Sequence, residues 1–170
     1  AETMRTDRRT FLLGGAAAGL TAPLAAPLTR GALARSLPLD APPQPLGLPY
    51  RDYVPVETPN GATLPWRISN GAKVFHLVAE PVRHEFAPGL EANCWGYNGR
   101  VHGPTIEAVE GDRVRIYVTN RLDAPTTVHW HGLIVPSGMD GVGGLTQRSI
   151  EPGETFRYEF VLRQHGTFMY

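Results

Sequence analysis

The sequence has no excess of either charge: 16 basic residues balance 16 acidic ones. No field therefore draws it to nucleic acid or to an anionic membrane surface. It has one cysteine, Cys94, so an internal disulfide is excluded and stability has to come from a buried core. Beside Trp95 in an apolar stretch, that thiol reads as a small buried hydrophobe. A membrane-spanning run is also missing. The first apolar stretch is short and broken by Pro23 and Pro27, whereas a spanning helix needs about 20 apolar residues. No helical periodicity longer than a turn or two is signalled, and no internal repeat is present.

What the sequence does have is glycine (19) and proline (16) in a chain of 170 residues that is 42% hydrophobic. That combination favours one core of short strands joined by turns, an all-β chain. The first segment reads differently. Arg8 and Arg9 stand ahead of Phe11 and Leu12, a Gly/Ala stretch follows, and Ala32-Leu33-Ala34 resembles a cleavage site. Residues 1–34 are expected to be a twin-arginine-type export signal, an address read by a receptor, with Met4 a candidate start. The destination is periplasmic or extracellular. Residues 35–64, rich in proline ("LPLDAPPQPLGLPY"), are expected to form a linker or wrap-around arm, and residues 65–170 the folded domain.

Within that domain period-two alternation recurs. In "KVFHLVAEPVRHEF" Val74, Val78, Val82 and Phe86 fall on one face, with Pro81 demoting the second half to an edge or bulge. His76 and His84 share that parity and read as structural. "DRVRIYVTN" puts Val114, Ile116 and Val118 inward, as in a half-buried antiparallel strand, and "ETFRYEFVL" does the same with Phe156, Tyr158, Phe160 and Leu162. "PTIEAV" is expected to be another short strand, and "PSGMDGVGGLTQ" a glycine-rich loop. Short strands at such intervals indicate a sandwich or barrel.

The chemistry is concentrated in "TTVHWHGL", residues 126–133. In an extended chain His129 and His131 share a face and Trp130 points the other way. Their Cα atoms would lie roughly 6.5 Å apart at about 3.3 Å rise per residue, which suits ligands of neighbouring ions better than a tight chelate of one. Imidazole suits copper, zinc, iron and nickel, so the pair alone does not choose among them, and an H-x-H on a strand also occurs as two surface histidines.

Four segments in order carry a resemblance: "WGYNGRVHGPTIEAVEGDRVRIYVTNRL", "TTVHWHGL", "MDGVGGLTQRSIEPGETFRYEF" and "HGTFMY". Together they resemble the first cupredoxin (plastocyanin-like) domain of multicopper oxidases of the laccase and bacterial copper-tolerance type, over roughly residues 70–170. The resemblance implies a Greek-key cupredoxin-like β-sandwich. It also implies that His129 binds a type 2 copper and His131 one of the paired type 3 coppers of a trinuclear cluster. Asp140 would be the acid that bonds water near the cluster and relays protons, although Asp-Gly is also a common turn pair. Trp130 would anchor the strand in the core and Gly132 leave room for close packing, while Met139 reads as loop filling and His165 as structural. The partners implied are dioxygen and a small reducing substrate, a phenol, an amine or a metal ion.

In that family a second His-x-His follows Gly-Thr-Phe-x-Tyr, and this sequence closes at Tyr170. The expectation is therefore an N-terminal fragment, its sandwich incomplete, inactive alone and only weakly copper-binding. The remaining ligands would lie in C-terminal cupredoxin domains, and the apolar Phe168 and Met169 would be left uncovered. Two rivals are a copper-free cupredoxin scaffold that binds partners, and a copper-binding electron-transfer or nitrite-reductase-like module. The scaffold has no physical reason to keep both imidazoles. The module needs its cysteine in the final loop, and Cys94 lies upstream of the histidines.

Overall fold

The structure, a computed structural model, describes residues 36–38 and 40–170. The export-signal reading of residues 1–34 lies outside the described residues. No helix among the described residues is long and apolar enough to cross a membrane.

Among the described residues five strands form one sheet: β1 (Arg67–Ser69), β2 (Ala72–Ala87), β3 (Leu90–Tyr97), β4 (Arg113–Asn120) and β5 (Thr155–Val161). Their order is β1-β2-β4-β5, with β3 paired to the far half of β2. β4 shows the clearest link from sequence to packing. Its even-numbered residues Val114, Ile116 and Val118 are buried and its odd-numbered ones only partly so, because successive side chains alternate between faces. β5 repeats this with Tyr158 and Phe160 inward. The inner face meets a second layer of extended segments tied by single bridges, Thr126 to Ile150 and His131 to Met169. The result is an almost all-strand, cupredoxin-like β fold whose core joins Phe75, Leu77, Val114, Ile116, Val118, Val128, Trp130, Ile150, Tyr158 and Phe160. Ser137–Met139 forms a short 3-10 turn.

Four expectations are corrected. β4 is antiparallel only to β5; it runs parallel to β2, pairing Lys73 with Val114 through Ala79 with Asn120. "PTIEAV" is not a strand, since Thr105 makes only an isolated bridge to Thr63. In β2 the core residues are Phe75, Leu77 and Ala79, of opposite parity to the expected set. Val74 is buried too, but Val78 and Val82 are half-buried and Phe86 is 52% exposed. The physical reason is the reach of β2. Beyond Ala79 it outruns β4 and pairs only with β3, so the stretch with Pro81 is a projecting hairpin, with a register shift between Glu85 and Ala87. Cys94 sits on that hairpin, half-buried rather than buried, next to Trp95, which is 64% exposed.

The proline-rich segment is tied to the loops that flank β4 and β5 through backbone groups and buried charges. Proline offers no N–H, so few ladder bonds are available. Instead Leu37 N–H donates to the Arg163 carbonyl (2.6 Å), Gln44 N–H to the Gly111 carbonyl (2.9 Å) and Leu64 N–H to the Thr105 carbonyl (2.7 Å). The Arg163 guanidinium donates to the Pro38 carbonyl. Lys73, fully buried, pairs with buried Asp112 at 2.7 Å. Among the described residues its ammonium has no further hydrogen-bond acceptor, and it faces the rings of Trp66 (4.8 Å) and Tyr53 (5.2 Å). Asp112 in turn accepts from Gly47 N–H and Val109 N–H, each at 2.8 Å. One carboxylate thus joins the arm, β2 and the turn before β4.

Candidate metal centre

The segment that carries the two histidines is extended but is not a ladder strand; it is held at intervals from three directions. Val128 and Trp130 are buried and His129 and His131 exposed, so the alternation read from the sequence holds locally. Trp130, 3% exposed, sits edge-on to Tyr158 (5.3 Å) and Phe160 (5.7 Å) and tilted against Tyr170 (6.1 Å). This aromatic packing keeps the imidazoles on the outer side. Buried Tyr158 adds a polar fixing point, its hydroxyl accepting from Val128 N–H at 3.1 Å. Burial pushes the phenols of Tyr158 and Tyr170 up, which keeps Tyr170 protonated and donating to the Pro104 carbonyl at 2.6 Å.

The two imidazoles lie side by side with centroids 6.0 Å apart and planes at 44°. His129 Nδ1 is 2.7 Å from the backbone carbonyl of Asp140. A carbonyl can only accept, so Nδ1 carries the proton and the Nε2 lone pair is left free for a metal. The Asp140 carboxylate is also near, Oδ1 lying 3.5 Å from the same nitrogen. The 3-10 turn delivers Asp140 to this place, and Gly141 completes the fit. Gly141 has φ +83°, and a Cβ there would stand 1.8 Å from the Val128 carbonyl oxygen and 2.9 Å from the His129 Cα. Only glycine lets the loop lie flat on the histidine segment. In the sequence the Asp-Gly pair reads as a turn or an acid, because this contact is made to a segment eleven residues earlier and leaves no local trace.

His131 is held from the other side. Its N–H donates to the Met169 carbonyl at 3.0 Å, and Gly132 (φ +82°) lies against the Phe168 ring. Met169 itself is 68% exposed.

The remaining candidates fall elsewhere. His76 bonds Thr119 on the outer sheet face (2.8 Å), His84 meets the edge of Phe86 (4.5 Å), and His165 pairs with Glu110 (3.0 Å). Met139 packs against the core with its sulfur 3.3 Å from Glu159 N–H. Among the described residues no cluster of three or more His, Cys, Asp or Glu is placed to hold a metal. What the chain offers is a pair of outward imidazoles, a donor set that fits copper as two ligands of a larger set.

A family model described as multicopper oxidase matches residues 79–170. The chain belongs to the multicopper oxidase family. It is 46% identical over 82 residues to copper resistance protein A of Pseudomonas syringae pv. tomato, an alignment covering 48% of this chain and 14% of that protein. It is 38% identical over 106 residues to a multicopper oxidase of Staphylococcus aureus, covering 62% of this chain and 23% of that one. Among solved structures, the multicopper oxidase of Pseudomonas thermotolerans is similar at 41% identity with a TM-score of 0.54, covering 56% of this chain and 23% of the other. The chain therefore spans less than a quarter of these relatives. Membership makes copper the cofactor of the family to which this pair of imidazoles belongs.

Proposed function

We propose that this chain supplies two ligands, His129 for a type 2 copper and His131 for a type 3 copper, to the trinuclear cluster of an exported laccase-like oxidase. Further cupredoxin domains would provide the other ligands. The observation that carries the reading is the pinned Nδ1 of His129 beside a second imidazole 6.0 Å away on the same exposed face. A copper-free scaffold would gain nothing from fixing that tautomer. Copper, when bound, would supply one-electron acceptance from a phenol, an amine or a metal ion and the reduction of dioxygen to water. The chain's own residues orient and move protons. Trp130 and the Asp140 carbonyl aim the rings, and the Asp140 carboxylate, part-exposed and reachable by water, takes up and returns a proton at Oδ1.

In the full-length oxidase, replacing both His129 and His131 by Ala is expected to reduce oxygen uptake with a phenolic substrate to the copper-free background. Uptake equal to the unaltered protein would end the assignment. Asp140→Asn leaves the backbone carbonyl on His129 in place, so copper content is expected to stay while turnover falls about 100-fold. Metal analysis alongside steady-state oxygen uptake separates the two effects, and loss of copper would mean that the carboxylate has another role.

A further inference from the structure

Gln164 lies half-buried just past β5 and has no place in the donor set above. Its carboxamide faces the turn that follows His131. Oε1 accepts from Ile134 N–H at 2.8 Å, and Nε2 donates to the Gly132 carbonyl at 2.8 Å. The two contacts settle the orientation of the amide, since turning it over would set donor against donor and acceptor against acceptor. No residue of the same length replaces it: ionised Glu accepts but cannot donate, Met does neither, and Asn is a methylene short.

Gly132 occupies a left-handed conformation and, lacking a Cβ, is the natural hinge next to His131. Rotation there would swing the chain that leaves His131. His129 does not depend on this clamp, because it is held by Asp140 and Gly141. The two histidines are therefore oriented by different parts of the chain.

We propose that Gln164 is the positioning residue of the His131 imidazole, its two-point clamp across Gly132 and Ile134 fixing the direction in which that ring is presented to metal. The inference rests on the metal-site reading of the preceding subsection. Outer groups that orient a ligand are typically worth ten- to 100-fold in metal affinity, which sets the scale.

The test is an anaerobic titration of the copper-free full-length oxidase with Cu(I) alone, following the ring-proton NMR signals of His129 and His131 separately. In the unaltered chain both rings respond. In Gln164→Met the His131 response is expected to need about tenfold more Cu(I), with that of His129 unchanged. Gln164→Glu, which keeps the volume and one of the two contacts, is expected to fall between, and it serves if the Met variant does not fold. The proposal is overturned if His131 in both variants responds as in the unaltered chain. It is equally overturned if both histidines weaken together in step with a lower melting temperature, the mark of a purely structural role. Silence of both rings in the unaltered chain would overturn the metal-site reading and this inference with it, whereas a response that the variants leave intact removes Gln164 alone.

Discussion

Gly141→Ala is expected to destabilise the protein by about 3 kcal/mol or more and, in the copper-loaded full-length oxidase, to strip copper from the proposed His129 position. The backbone at φ +83° costs an alanine about 1–2 kcal/mol, and overpacking adds about 1–3 kcal/mol. The added methyl would sit 1.8 Å from the Val128 carbonyl oxygen, a backbone atom that cannot swing aside. The loop must lift instead, carrying the Asp140 carbonyl away from His129 Nδ1. With that acceptor gone the ring loses its fixed tautomer and direction. Thermal melting and copper content of the purified variant check both halves. A variant that melts within a degree of the parent and retains its copper would show that the loop does not support the site.

The second large effect concerns the base of the sheet. Asp112→Ala leaves the Lys73 ammonium buried without its counter-charge and the Gly47 and Val109 N–H groups without an acceptor. Breaking a buried pair in this way costs about 3–5 kcal/mol. Replacing both members, as in the double variant Lys73→Met with Asp112→Leu, is expected to recover part of that loss, because no lone charge remains. The orphaned N–H groups keep the recovery incomplete. Denaturant unfolding measures the stability, and hydrogen exchange at Gly47 reports release of the arm. A loss below about 1 kcal/mol for Asp112→Ala would contradict the account.

What could be read from the sequence follows the range over which the physics acts. The inward faces of β4 and β5 are local alternations, and Val114, Ile116, Val118, Tyr158 and Phe160 are buried as read. The outward pairing of His129 and His131 around buried Trp130 is local in the same sense. The parity of β2 is not legible in its own residues because its environment is set from afar. Lys73 is buried beneath Tyr53 and Trp66 of the preceding segment, and the half past Ala79 leaves the sheet with β3. Cys94 and Trp95, apolar by composition, go with that projecting hairpin. The supports of the site were illegible for the same reason. Gln164 reaches a turn 30 residues earlier in the chain, and Tyr158 reaches Val128 over the same separation. Neither contact leaves a periodic trace, whereas a metal motif on one short segment does.

The central claim is that the two neighbouring imidazoles serve different ions. Anomalous scattering at the copper edge from crystals of the copper-loaded, full-length oxidase tests it most directly. The account predicts two resolved copper peaks, one on His129 Nε2 and the other on His131. A single peak shared by both rings, or rings turned away from any metal, would contradict it.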